Sequence, residues 1–435
     1  MSVARVPVGS LALGRITEAS VSMTNKKPGG RAAEDVDGAG RTARLAALQA
    51  EKMARSPHAF VRGNTVEHYR WLSELKARLP DGPSVWICGD CHVGNLGPLA
   101  DAGGHVDIQI RDLDQTVIGN PAHDIVRLAL SLASAARGSN LAGITTARMV
   151  EVIIEGYEAG LAALDADELG IREPHVVALV RRQALGRRWH HLAKERIGGV
   201  VPSLPIGKRF WTPSDDERWQ IGILLDTPAI KSLILTFNGR PEGSRVELVD
   251  AAYWVKGCSS LGKIRYAALV HITGERKDKY SLIDIKEAVQ SAAPSSDEGA
   301  MPEHHGERVV AGARALSPNL GDRMAGGDLI GRPVIVRELM PEDLKLELEQ
   351  FSAKDAIRAA RYLAGVVGRA HGRQLQPDDR RAWLRELHSR HPPDIAAPTW
   401  LWGTVLQLLV RHEEAYLQHC RRTAYARVHD QASAA

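Results

Sequence analysis

Val85-Trp86-Ile87-Cys88-Gly89-Asp90-Cys91-His92-Val93-Gly94-Asn95 opens the stretch on which the rest of the chain turns, and Asp112-Leu113-Asp114 and Gly119-Asn120-Pro121-Ala122-His123-Asp124 close it. Val85-Trp86-Ile87 is a short apolar run, the pattern of a buried strand. A turn bearing Asp90, His92 and Asn95 follows. His105 to Ile110 alternates polar and apolar residues, as a half-buried strand does, and delivers Asp112 and Asp114 at its end. The spacing predicts two strand ends side by side, with carboxylates and an amide converging. A hard cation such as Mg²⁺ favours oxygen ligands of that kind.

Length and composition bound the reading. The 435 residues, with 44% hydrophobic and 25% charged, suffice for a large core and suggest two lobes. A net charge of +4 with no concentrated basic run gives no reason to expect a nucleic-acid partner. No apolar run approaches the roughly 20 residues of a membrane span, so no membrane association is expected. Leu11-Ala12-Leu13 is broken at once by Gly14 and Arg15, so no signal-peptide core is read and a cytoplasmic address is expected. Four cysteines (Cys88, Cys91, Cys258, Cys420) make no disulfide framework. Cys88 to His92 matches a haem-attachment pattern, but that attachment needs export. A structural zinc site would need a second Cys/His pair.

Outside this stretch the chain reads in blocks. Arg41 to Arg55 is helix-forming and Pro57 is expected to stop it. Phe60 to Asn64 turns into a second helix ending near Pro80. Helices are expected after Pro121, from about Ala142 to Asp165 and from about Glu173 to Glu195, and Ile197 to Asp216 reads as a loop. Strands are expected over Val246–Val255, Ile264–Ile272, Tyr280–Lys286 and Val334–Leu339, with a helix over Pro302–Leu316. A stripe through Ile357, Ala360, Ala364, Val367 and His371, and a long helix from Trp400 to Arg427, end the chain. His371 reads as a packed, hydrogen-bonded residue.

Two features in this later part carry chemistry. Gly257-Cys258-Ser259-Ser260-Leu261-Gly262 is a glycine-bounded turn between strands, which lets backbone N–H groups approach phosphates; an ordinary hairpin has the same pattern. Lys286 ends the apolar run Leu282-Ile283-Asp284-Ile285. A lysine buried there needs a partner, whereas one at an exposed strand end does not. Arg62, just before Gly63, suits a phosphate or a structural carboxylate.

Gly-Asp-x-His-x-x-Asn, a strand ending in Asp, then Gly-x-Pro-x-x-Asp resembles the catalytic core of aminoglycoside phosphotransferases and related kinase-like enzymes. The resemblance implies Asp90 as the acceptor-hydroxyl base with His92 beside it, Asn95 and Asp112 as metal ligands, and Asp124 as a brace for the loop. Asp124 near a helix start also fits simple dipole stabilisation. Asp114 adds a second carboxylate, for a second Mg²⁺ or for a turn. Gly257, Ser259, Ser260, Gly262, Lys286 and Arg62 become the nucleotide-binding set. Such a lysine also takes a helical glutamate, for which Glu307 is preferred over Glu303. Over most of its length the chain also resembles the bacterial domain-of-unknown-function 2252 family, through Ser56 to Gly63, the opening stretch and Ile285 to Ala288.

The fold expected is α+β, a protein-kinase-like two-lobe fold in permuted order, because the catalytic loop precedes the glycine turn and lysine. Residues 1–40 would be a mobile tail and 41–235 a helical lobe with the catalytic loop and metal site. Residues 236–345 would be an antiparallel-sheet nucleotide lobe, and 346–435 C-terminal helices completing the helical lobe. The expected activity is ATP- and Mg²⁺-dependent phosphoryl transfer to an unidentified hydroxyl, on a small molecule or a protein. The same fold could perform nucleotidyl transfer or ATP-driven ligation. A metal-dependent hydrolase built from Asp90, His92, Asp112, Asp114 and His123 would need neither Lys286 nor nucleotide. A non-catalytic binding module sits poorly with the complete Asp90, Asn95 and Asp112 set.

Overall fold

The computed structural model describes residues 38–433 except 76–77, 102, 140, 164–169, 188, 199–201, 237–243, 274–278, 298–299, 341–343, 345–350 and 389–397. The expected tail, 1–40, falls almost wholly outside them.

Among the described residues three helices come first: α1 (Gly38–Met53), α2 (Pro57–Gly63) and α3 (Thr65–Glu74). Pro57 does not only end a helix. It starts one, with the Ser56 hydroxyl accepting from the Ala59 N–H at 3.1 Å. Proline in the first turn loses no hydrogen bond, which is why Phe60 to Gly63 is helix and not turn.

Four short strands follow: β1 (Val85–Ile87), β2 (Leu96–Ala100), β3 (Val106–Ile110) and β4 (Val117–Gly119). β1 pairs with β4, and β2 with β3, both antiparallel. The expected side-by-side placement of β1 and the 105–110 strand is therefore corrected. β2, for which no strand was expected, is the partner of β3. Asp112 and Asp114 still reach the end of β1, because the loop carrying them leads into β4.

Helices α4 (Ala122–Gly138), α5 (Gly143–Ala162), α6 (His175–Gly186) and α7 (Trp189–Arg196) come next. The single helix expected over 173–195 is two, since Gly186 is followed by extended backbone at Arg187. Within the expected loop, β5 (Phe210–Trp211) joins the large sheet. Helices α8 (Asp215–Asp226), capped by Ser214 and Glu217, and α9 (Pro228–Thr236) precede β6 (Arg245–Trp254), β7 (Arg265–Thr273) and β8 (Lys279–Glu287). After them run α10 (His305–Leu316), α11 (Pro318–Gly321), β9 (Met324–Leu329), β10 (Arg332–Glu338), α12 (Ala353–Gly372), α13 (Pro377–His388) and α14 (Thr399–Ser433).

The fold is thus mixed α+β with antiparallel sheets. The large sheet is six-stranded, in the order β5-β6-β7-β8-β10-β9. One face buries Ile283, Ile285 and Val334 against Ile221 and Leu224 of α8 and Ile230 of α9. The other buries Leu282, Leu269 and Trp254 against Phe210 and Leu192. This alternation along β8 follows from the two-residue period of a strand.

The largest core joins β1 to β3 with α3 to α5 and α12 to α14. Its tightest seam is between α5 and α12, where a Cβ at Gly160 would strike the Gly365 carbonyl and one at Gly368 the Tyr157 carbonyl. Among the described residues no helix is long and apolar enough to cross a membrane.

Candidate functional site

The loop after β1 is held open from below. Asp124, fully buried in the first turn of α4, accepts the Cys88 N–H at 2.7 Å and the Gly89 N–H at 2.9 Å. Gly89 has φ +72, and a Cβ there would meet the Gln115 carbonyl, so glycine is required at this bend. His371 Nε2 lies 3.2 Å from Asp124 and its Nδ1 3.0 Å from the Tyr157 hydroxyl, which also accepts from Trp383 Nε1 at 3.1 Å. His371 is thus a packed support joining α4, α5, α12 and α13.

On this base stands Asp90, 7% exposed. Arg127, from the next turn of α4, donates through Nε to Asp90 Oδ1 at 2.9 Å and through Nη2 to the Val61 carbonyl at 2.6 Å. Burial raises the Asp90 carboxyl above its ordinary value and Arg127 opposes that rise. Asn95 donates through Nδ2 to the Asp90 carbonyl at 3.0 Å, which leaves its amide oxygen available. His92 Nε2 is 3.9 Å from Asp90 Oδ2, beyond hydrogen-bond range. Burial, Arg62 and Arg127 hold His92 well below its ordinary pKa, so it is neutral, and its Nδ1 has no partner.

Lys286 reaches this loop from β8. Its Nζ is 3.1 Å from Asp112 Oδ1 and also pairs with Asp114. Lys286 is 5% exposed, so it is a buried lysine with two carboxylate partners. Burial would lower it, but Asp112 and Asp114 raise it further. Burial and Asp112 raise Asp114. Against its own burial, Asp112 is held below the carboxylate range by Lys286 and by a hydrogen bond with Asp114. The Asp112 side chain remains 39% exposed to the cleft. With the Asn95 amide oxygen it forms a hard-oxygen donor set that fits Mg²⁺.

Glu307 is not the partner of Lys286. It is exposed in the first turn of α10, where its N–H donates to His304 Nδ1 at 3.2 Å. Asp112 and Asp114, two residues apart on one loop, already supply the counter-charge.

The glycine turn closes the cleft from the sheet side. Gly257 (φ +89) and Gly262 (φ +95) take the left-handed backbone that bends it. Lys52 and Gln49 of α1 donate to the Gly257 and Cys258 carbonyls at 3.0 and 3.2 Å. The Ser260 hydroxyl is spent inside the turn, donating to the Lys256 carbonyl at 2.8 Å. Ser259 faces the cavity.

That cavity has two halves sharing Asp90, Asn95, Asp112 and Ser259. One, of about 190 Å³, is lined by Thr65, Val66, Gln115, Asp114 and Lys263. The other, of about 90 Å³, lies under the glycine turn and is lined by Arg62, Arg111, Lys256, Arg265 and Arg337. The sequence reading missed every cation of the second half except Arg62, and it missed Arg127. Arg127 carried a signal, a charge inside the apolar run Ile125 to Leu130. So did Asp284 inside the β8 run, the buried acid that Arg265 and Arg337 hold.

His123 stands apart from the cavity, with its ring 5.7 Å from Tyr69. Of the five hydrolase candidates, Asp90, His92, Asp112 and Asp114 line the cavity and His123 does not. Cys88, Cys91 and Asp124 form the one candidate soft-metal cluster among the described residues. Both Asp124 oxygens there are committed to backbone N–H groups, and burial keeps the Cys88 thiol protonated.

Residues 41–422 match the family model described as an uncharacterized protein conserved in bacteria, DUF2252. The chain belongs to the DUF2252 family. The match takes in Asp90, Asp112, the glycine turn and Lys286 together, so both walls of the cavity lie within the family's shared region. No curated protein and no solved structure matches the chain.

Proposed function

We propose that this chain is an ATP- and Mg²⁺-dependent phosphotransferase on a kinase-like, two-lobe arrangement of permuted order, with a hydroxyl as acceptor. The observation that carries the reading is the meeting of Lys286 with Asp112 and Asp114 beneath the glycine turn. Kinase-like sites use a strand lysine, a glycine-rich loop and a metal-binding aspartate in such an arrangement. The two halves arrive here in reversed chain order, which an active site tolerates because it depends on geometry.

Asp90 is the group that orients the acceptor hydroxyl and takes its proton. Arg127 occupies Oδ1, so Oδ2 is the oxygen turned to the acceptor. The wider half of the cavity, with Thr65 and Gln115, offers hydrogen bonds to a polar acceptor. The donor phosphates lie under the glycine turn, where Arg62, Lys256 and Lys286 offset their charge. Mg²⁺ held by Asn95 and Asp112 would supply further neutralisation of the phosphate oxygens. Most of the rate enhancement then comes from preorganised electrostatics, since phosphoryl transfer asks little covalent chemistry of the protein. Glu307 departs from the pattern, and the Asp112/Asp114 pair takes over its task of fixing the lysine.

The test is nucleotide binding by calorimetry, with and without Mg²⁺, on the wild type, Lys286→Ala and Asp112→Asn. Mg²⁺-dependent ATP binding weakened by both substitutions is expected. Absence of ATP binding to a folded wild type would falsify the reading. ADP as product, and not AMP or pyrophosphate, separates phosphoryl from nucleotidyl transfer.

A further inference from the structure

We propose that the hydroxyl acceptor of this site carries an uncharged apolar group, and that this group lies along α3 beside the Asp90 cavity. The inference rests on the phosphotransferase reading and narrows its acceptor class.

A second hollow, of about 540 Å³, shares a wall with the wider half of the cavity, because Val66 lines both. Two hydrogen bonds tie the remaining walls together. The Tyr69 hydroxyl, on the lining of the second hollow, donates at 2.6 Å to the carbonyl of Gly89, the residue before Asp90. Gln115, on the lining of the cavity, accepts through Oε1 the N–H of Ala292 at 2.7 Å, and Ala292 lines the second hollow. Val66, Tyr69, Arg70 and Ser73 follow one face of α3 at helical spacing. The hollow therefore runs along that helix for about 10 Å from the end that meets the Asp90 cavity, at a rise of about 1.5 Å per residue.

Leu72, Leu79, Ala292 and Pro294 give the hollow an apolar lining, and the Tyr69 and His123 rings meet edge to face there, 5.7 Å apart. Polar groups on the same lining are engaged with the protein itself. Ser73 Oγ donates to the Arg70 carbonyl at 2.8 Å, the Tyr69 hydroxyl holds Gly89, and the Arg70 guanidinium pairs with Glu67 and Glu74. What the hollow offers an entering group is therefore apolar contact, and its size suits a small organic ligand. Val66, at the junction, is 69% exposed, and an apolar substituent laid across it would remove that surface from water. The donor phosphates belong to the half under the glycine turn, while the hollow borders the other half. Its occupant is thus the apolar part of the acceptor, whose hydroxyl meets Asp90 Oδ2.

The test is ligand-observed NMR on the full-length protein in Mg²⁺ and a β,γ-imido analogue of ATP, with ethanol, 1-butanol and 1-hexanol as probes. Affinity is expected to rise about threefold per added methylene, as it does when CH₂ groups are buried. Val66→Asn, at an exposed position, and Ala292→Trp, which narrows the hollow, are each expected to weaken 1-hexanol binding by about fivefold. Affinities within about twofold across the series, or 1-hexanol binding that neither variant changes, overturn the inference and leave the phosphotransferase reading standing. Binding of the ATP analogue weakened about tenfold in both variants gives the hollow to the nucleobase and overturns the inference too. If the folded wild type binds neither ATP nor the analogue, both fall.

Discussion

Lys286 Nζ stands 3.1 Å from Asp112 Oδ1 across 174 positions of sequence, and this contact fastens the large sheet to the loop between β3 and β4. Lys286 is buried while Asp112 keeps 39% of its side chain exposed, so solvent screens part of the attraction. Removing the lysine leaves Asp112 and Asp114 facing each other. Lys286→Met is expected to lower unfolding free energy by about 2 kcal/mol in urea titrations, less than a fully buried pair would lose. Adding Asp114→Asn to Lys286→Met should recover part of that loss. A double variant no more stable than the single one would show that the carboxylates do not repel.

The proposed phosphotransferase gives Asp90 a part in the chemistry and none in nucleotide binding. Asp90→Asn is expected to reduce ADP formation by about 10²- to 10⁴-fold, the range for a positioned base. The dissociation constant for Mg²⁺–ATP should change by less than about threefold. A large change in binding with turnover preserved would move Asp90 out of the base role.

Arg127 is 1% exposed and bridges Asp90 to the Val61 carbonyl through separate nitrogens. Arg127→Met strands a buried carboxylate and is expected to cost about 3–5 kcal/mol. Arg127→Lys should recover little, because one ammonium cannot reproduce a planar fork. Thermal melts of the two variants decide this. Full recovery by lysine would mean that charge alone matters.

Burial holds His58 and His412 down to about 4, from an ordinary value of 6.5. Between those values the unfolded chain binds more protons than the folded one. Stability is therefore complete above pH 6.5 and falls as pH drops towards 4, by about 1.4 kcal/mol per pH unit for each histidine. His412→Gln should flatten the decline. Equal slopes for the variant and the wild type, in denaturant titrations at pH 7, 6 and 5, would refute a part for His412.

Gly160 lies where α5 meets the α12 backbone, with no room for a methyl group. Gly160→Ala is expected to destabilise by about 1–3 kcal/mol despite the better helix propensity of alanine. Gly222 in α8 has nothing within 4 Å of an added Cβ, so Gly222→Ala should gain up to about 1 kcal/mol. The opposite signs, read from melting temperatures, separate close packing from propensity.

What was legible in the sequence was local. The period-two run Leu282 to Lys286, the glycine-bounded turn and the carboxylates after Ile110 each advertise themselves within a few residues. Pairing was not legible. Nothing in Val85-Trp86-Ile87 says that it hydrogen-bonds to Val117–Gly119 and not to the 105–110 strand, since both choices bury the same apolar side chains. The cationic chamber was hidden for a related reason. Arg62, Arg111, Lys256, Arg265 and Arg337 come from separate segments, and each alone reads as a solvated charge. The kinase-like resemblance points to Glu307 because such a lysine finds its acid on a helix; here the acids lie on the loop below. The visible clue was Asp284, an acid in an apolar strand, which needs buried cations around it.

The Arg369–Asp107 ion pair, 2.7 Å long, joins α12 to β3 over 262 positions. During synthesis at about 5–20 residues per second, α12 leaves the ribosome about 13 to 50 s after β3. From the emergence of α5 until that of α12, the apolar flank of α5 lacks the helix that covers it. A nascent chain halted before Ala353 thus leaves open the face of α5 against which the α12 backbone packs.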